Sequence, residues 1–277
     1  MGLLFALVAA AAYGSADFLG GIAARRAALL AVALATQAVG LLVIALALAV
    51  HPEAFNAVSL GWGALAGLAG AAGIALLYHA LSIGRMGVVS PVTAVLAAAV
   101  PVIFGIATGE RPSPLAYGGL ALAAAAIVAI SASFDSGGKR EFATAGLREA
   151  VLSGIAFGAF FTLLGMARDG APLFALLGSR LASVGLLGSI VSITRTSMRA
   201  NGARWIVVLG GTLDMGANLL YLLAARIDGL AISAVLTSLY PASTVLLAAI
   251  VLRERLSRVQ WAGVLCALVA VAMIAAG

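Results

Sequence analysis

The sequence predicts an all-α integral membrane protein: ten transmembrane helices arranged as two inverted five-helix repeats around a central cavity. Three observations carry this. Of 277 residues 64% are apolar and 9% charged, where ordinary soluble domains carry about 25% charged residues. Apolar runs of about 20 residues, the length a helix needs to cross a hydrocarbon core of about 30 Å, recur ten times along the chain. The chain also resembles itself at a spacing of 143 to 145 residues.

The first run spans residues 3–23. It has no basic n-region, carries Asp17 and has an internal counterpart near residue 147, so it is expected to be a retained helix and not a cleaved signal peptide. Runs follow at 29–50, 60–82, 87–107 and 114–132, then at 147–167, 172–194, 204–225, 229–251 and 259–276. They are continuous and rich in Ala, Leu and Val, without the alternation of a membrane β-strand, and therefore read as helices. The connections are short, which leaves no room for a separate soluble domain. A single cysteine, Cys266, excludes an intrachain disulfide and a cysteine-built metal site. No cofactor is indicated. The net charge of +6 comes from basic residues placed singly or in twos and threes at span ends, where they set topology. No nucleic-acid partner is expected.

The self-similarity is ordered. Trp62, Gly67, Gly73 and Tyr78 fall on Trp205, Gly210, Gly216 and Tyr221 at an offset of 143. "GERPSPLAYGG" (109–119) matches "RERLSRVQWAG" (253–263) at 144, and "VGLL" at 39–42 matches "VGLL" at 184–187 at 145. Such a series marks a duplication, with a first repeat at residues 1–134 and a second at 145–277. Five spans per repeat require the second to enter the membrane from the opposite side, an architecture frequent among secondary transporters. The connections after spans 1, 3, 5, 7 and 9 carry twelve basic residues (Arg25, Arg26, Arg85, Lys139, Arg140, Arg148, Arg195, Arg199, Arg204, Arg253, Arg255, Arg258). The other side carries Arg111, Arg168 and Arg226. The positive-inside rule then places the first set in the cytoplasm and both termini outside.

At this point the sequence resembles the drug/metabolite transporter superfamily, in particular its ten-span EamA-like transporters. The resemblance rests on "AAYGSADFLGG" in the first span and on "GERPS" and "RERLS" after spans 4 and 9. It implies two five-span repeats and transport of small metabolites, a class that in this superfamily ranges from amino acids to nucleotide sugars and cationic drugs. In the related small multidrug resistance proteins a carboxylate in the first span exchanges protons for cationic drugs, which implies a similar role for Asp17. The chain departs from the family pattern in having an acid at that position and in lacking a basic N-terminal tail.

Asp214 lies mid-span, with no other charged residue between Arg204 and Arg226. A carboxylate in hydrocarbon is costly unless it is paired, hydrated or protonated. Asp214, Asn218 and Tyr221 stand at i, i+4 and i+7 and share one helical stripe, which is expected to face the bundle interior. The repeat-equivalent stripe is Ala71, Ala75 and Tyr78, followed by His79. Asp214, Asn218, Tyr221, Tyr78 and His79, with Tyr13, Asp17 and Tyr240, form the expected substrate site, and Asp17 and Asp214 are the candidate coupling acids. The alternatives are packing roles: Asp214 hydrogen-bonded to Asn218, Asp17 paired with Arg25 or Arg26, His79 fixed beside Tyr78. Arg180, the only basic residue well inside a span, either neutralises one of the two acids or binds an anionic group of the substrate; the pairing is the first expectation.

Pro91, Pro101 and Pro241 lie in spans 4 and 9, where proline frees a carbonyl and bends a helix, so these are candidate gates or static kinks. Glu110 and Glu254, beside Arg111, Arg253 and Arg255, read as local ion pairs. Gly63 with Gly67, and Gly154 with Gly158, have the spacing of close helix packing.

These features together predict a secondary transporter, an exporter of a small polar metabolite (an amino acid or a cationic or zwitterionic compound) working by alternating access, with protons as candidate coupling ions. Two internal acids against one internal arginine favour cationic or zwitterionic substrates over dianions. A lipid-linked-sugar flippase is the alternative within the same fold. A membrane enzyme is a remoter one, because the chain has no HExxH, no paired-acid motif and no nucleotide-binding loop. The expected location is the inner, plasma membrane of a bacterium. The sequence is compatible with a monomer in the bilayer.

Overall fold

A peptide group in hydrocarbon has no water to bond, so a chain of this composition satisfies its backbone internally. The computed structural model describes residues 1–109, 113–134, 140–142, 145–167, 170–199, 202–228, 237 and 239–276. Ten helices are present among them: α1 (Gly2–Ala24), α2 (Leu29–Val50), α3 (Ala57–Ile83), α4 (Met86–Ala107), α5 (Pro114–Ser131), α6 (Leu147–Gly165), α7 (Pro172–Thr194), α8 (Arg204–Asp228), α9 (Tyr240–Val251) and α10 (Arg258–Ala276). A short antiparallel ribbon, β1 (Ala132–Phe134) against β2 (Arg140–Phe142), joins α5 to α6 with Ser133 opposite Glu141. The hydropathy pattern gave no sign of this ribbon, because three-residue strands carry too little periodicity.

Seven of the helices, α1 to α4 and α6 to α8, are long and apolar enough to cross a membrane; the apolar stretches in α5, α9 and α10 are shorter. Span 9 was expected over 229–251, but its described helix starts at Tyr240, and residues 229–236 and 238 lie outside the described residues. Large apolar side chains such as Leu42, Leu46, Leu65 and Leu265 point outward and are exposed. That surface suits lipid tails and would be a liability in water.

Helix α8 packs between α1 and α2, α3 between α6 and α7, α4 against α6 and α10, and α1 against α9; α5 pairs with α10. What lets these helices approach is the absence of side chains at the crossings. A Cβ on Gly63 or Gly67 would overlap the carbonyls of Ala175 and Ser179, and one on Gly178 would overlap that of Leu60. At the α4–α6 crossing a Cβ on Gly154 would stand 2.6 Å from the Leu96 Cβ, and one on Gly158 would overlap Val100. Both glycine pairs therefore hold the close-packing positions their spacing predicts. Hydroxyls then bridge the near-touching backbones: Ser183 donates to the Gly67 carbonyl at 2.8 Å, Ser153 to Gly73 at 2.9 Å, and Thr93 to Ala150 at 3.2 Å. Without a hydrophobic force between helices in lipid, such contacts supply the association energy.

Gly67→Ala should force α3 and α7 apart and cost about 1 to 3 kcal/mol, the usual penalty of overpacking. Gly61→Ala, at a position with no atom within 4 Å of the new Cβ, should be neutral. Thermal unfolding of the two variants in detergent checks both outcomes.

Candidate functional site

Helix α7 carries Arg180 to a point where α2 and α8 both face it. The side chain is 8% exposed, so each of its donors must find an acceptor inside the protein. One terminal nitrogen, Nη2, forms an ion pair with Asp214 Oδ2 of α8 at 2.6 Å. The other, Nη1, donates to Gln37 Oε1 of α2. The remaining donor, Nε, is buried without a hydrogen-bond partner among the described residues and lies against Gly40, where a Cβ would be 3.3 Å away. Of the two possibilities for Arg180, the structure contains the pairing, and the acid chosen is Asp214.

Asn218 does not bind the Asp214 carboxylate. Its Nδ2 donates to the Asp214 main-chain carbonyl at 2.8 Å, one helical turn back. Tyr221, the third member of the stripe, packs with Tyr13 around Ala9, Ala12 and Ala217. Tyr13 also meets Tyr240 of α9 edge-on, with ring centroids 6.4 Å apart. Tyr78 is 1% exposed; its ring occupies the space left by Gly20, its hydroxyl contacts Thr36, and the charges of Asp214, Asp17 and Arg180 act on it. Asp17 is partly buried, feels Asp214 and Tyr240, and has no hydrogen-bond or ion-pair partner among the described residues. Of the expected partners on its own connection, Arg25 donates instead to the Leu81 and Gly84 carbonyls at the end of α3.

Seven of the expected residues thus gather: Tyr13, Asp17, Tyr78, Asp214, Asn218 and Tyr221, with Tyr240 closing the group. His79 does not join them. One residue beyond Tyr78, it is turned about 100° around the helix and is exposed. Pro91 and Pro101 lie within α4, but Pro241 occupies the first turn of α9, where its missing N–H costs nothing and it starts a helix instead of bending one. Glu254 forms no pair with its neighbouring arginines; both of its oxygens accept from the backbone of α4. Glu110 and Arg111 lie outside the described residues.

Gln37 escaped the sequence reading. Spans 2 and 7 match at 145 where they share VGLL, which sets Gln37 on Ala182, so the repeat carried no signal for it. With Asp214 neutralised by Arg180, the uncompensated charge of the cluster is the Asp17 carboxylate, which in a low-dielectric setting favours a bound cation or a proton. No three His, Cys, Asp or Glu side chains are grouped for a metal among the described residues.

Residues 145–276 match the model of the EamA-like transporter family. The second half of the chain is thus similar to the EamA-like transporters. The matched segment contains α6 to α10 and supplies Arg180, Asp214, Asn218, Tyr221 and Tyr240, while Tyr13, Asp17, Gln37 and Tyr78 come from the first half. Among solved structures, one crystal structure of a protein superposes over 99% of this chain and 97% of its own length, with a TM-score of 0.57 at 19% identity; it has the same fold. No curated protein matches the chain. With seven helices long and apolar enough to cross a membrane, and with this likeness in its second half, the chain is a multi-pass membrane protein.

Removing one partner of a buried ion pair costs about 3 to 5 kcal/mol, because the other charge is stranded. Asp214→Leu should accordingly lower the unfolding temperature in detergent strongly, whereas the double variant Arg180→Met with Asp214→Leu should recover a large part of the loss.

Proposed function

We propose that the protein is a secondary transporter, an exporter of a small cationic or zwitterionic metabolite, an amino acid or an amine, across the inner membrane of a bacterium. It works by alternating access between two inverted five-span repeats, residues 1–134 and 145–277, which together make ten crossings. The observation that carries this reading is the Arg180–Asp214 pair with Gln37: a charged group held mid-bundle by helices of both halves, beside an acid, Asp17, that has no ion-pair partner among the described residues. The site comprises Tyr13, Asp17, Tyr78, Asp214, Asn218, Tyr221 and Tyr240, with Arg180 as charge partner and Asp17 as the foremost coupling acid.

The helix pairings support the repeat. Adding five to the first repeat and subtracting five from the second turns α1–α8 into α3–α6, α3–α7 into α2–α8, and α4–α6 into α1–α9; α2–α7, α4–α9 and α5–α10 map onto themselves. A pseudo-two-fold of this kind lets the two halves exchange conformations and so move a shared site from one side to the other.

A thermal-shift screen of the purified protein tests the substrate class. Monoamines and zwitterionic amino acids should raise the unfolding temperature, and at 100 times Kd the stabilisation should be about 2.7 kcal/mol. Asp17→Asn should remove the effect of monoamines. Stabilisation by dianions such as nucleotide sugars alone would overturn the reading. Orientation is checked separately: a reporter inserted at Gly138 should be active in the cytoplasm and one fused after Gly277 outside it.

A further inference from the structure

The turn between α3 and α4 lies at the arginine-rich end of the bundle, and the other half of the chain grips it. Helix α9 ends with Arg253 in the left-handed region, φ 54°, and with the Glu254 N–H bonded back to the Ala248 carbonyl at 3.2 Å. This cap swings the Glu254 side chain out of line with α9 and onto the start of α4. There Oε1 accepts from the Met86 N–H and Oε2 from the Gly87 N–H, each at 3.1 Å. Arg85 reaches the opposite way, to the Arg255 carbonyl and to Gln260 Oε1. Gln260 is itself fixed in a capping box: it accepts from the Ser257 N–H at 3.1 Å and donates its own N–H to Ser257 Oγ at 3.2 Å. Leu256 packs against Gly87.

Two features of α4 separate this contact from a static brace. Pro91 has no N–H to give, so the Gly87 carbonyl lacks its bond from the next turn and the first turn of α4 is tied loosely to the rest of the helix. In that same turn Ser90 is 1% exposed and its hydroxyl has no hydrogen-bond partner among the described residues. A buried orphan hydroxyl destabilises the arrangement that contains it, so movement of this turn offers a compensating gain. Glu254, half-buried at the end of the bundle, can exchange its two backbone bonds for water.

We propose that Glu254 and Arg85 form a releasable latch: they close the arginine-rich end of the bundle, and that end opens when the first turn of α4, hinged at Pro91, lets go of the α9–α10 connection. The latch rests on the alternating-access reading above but not on the identity of the substrate. Its release exposes the Arg180–Asp214 cluster to the cytoplasmic side, and the opposite end closes in return.

Hydrogen–deuterium exchange on the full chain in nanodiscs tests this. Glu254→Gln replaces a carboxylate at a helix N-terminus by a neutral amide and should raise the open population roughly tenfold, the factor that a loss of one to two kcal/mol carries. Exchange should then rise across residues 81–90 and 252–257 and fall at the far end, in 52–60 and 170–175. A rise confined to the Met86 and Gly87 amides, or a rise at both ends together, makes Glu254 an ordinary helix cap and overturns the latch. Should Glu254→Gln unfold, a Gly87→Cys, Leu256→Cys pair in a Cys266→Ala background replaces it. Its oxidised form should exchange more slowly than its reduced form across 81–90; identical exchange overturns the proposal. Stabilisation by amines with no reciprocal change in exchange defeats the latch and leaves the transporter reading standing. Reciprocal exchange with no stabilising amine or amino acid leaves the latch standing and defeats the proposed substrate class.

Discussion

Arg180 must be satisfied where water is scarce, and this requirement arranges the centre of the molecule. Its two terminal nitrogens point along fixed directions in a planar fork, and here their acceptors come from two different helices. Gln37 on α2 and Asp214 on α8 supply them. Three helices from both halves are thereby held in one register, and Gly40 keeps the space beside the guanidinium clear. A hydrophobic trio would pack as well or better in energy; what the charged trio adds is direction, since only one mutual rotation of α2, α7 and α8 satisfies it.

Around this polar centre the rest of the bundle is joined by near-contact of backbones. Glycines remove the side chains that would keep helices apart, and serine and threonine hydroxyls bridge the carbonyls that are brought close. The combination gives adhesion without bulky interlocking side chains. At the arginine-rich end the joints are of another kind, side-chain carboxylate or guanidinium to helix terminus, as with Arg25 on α3 and Glu254 on α4. Such bonds are strong when formed and are readily exchanged for water when an end opens.

Much of the architecture was legible in the sequence because hydrocarbon imposes a single length scale. Spans 2 and 7 were expected over 29–50 and 172–194 and appear with those limits. For span 9 the comparison covers only part of the run: a helix opens at Tyr240 with Pro241, and residues 229–236 and 238 lie outside the described residues. The central polar residues were visible individually, since any charge in an apolar run stands out, but pairing was not. Asp17 and Asp214 were equal candidates for Arg180 until the helix faces were known. Gln37, one amide in an apolar span, had no local pattern to announce it. Glu254 was misread because its sequence neighbours are arginines, while its partners are backbone donors 168 and 167 residues away. His79 was misplaced by one residue's rotation about its helix.

The Gln37–Arg180 contact makes the centre of the bundle asymmetric. A guanidinium in place of Gln37 would set two like charges together, and an amide in place of Arg180 would leave Asp214 buried without its counter-ion. Neither side of the contact can stand in for the other, so α2 and α7 are not interchangeable, and a correctly assembled bundle contains one of each.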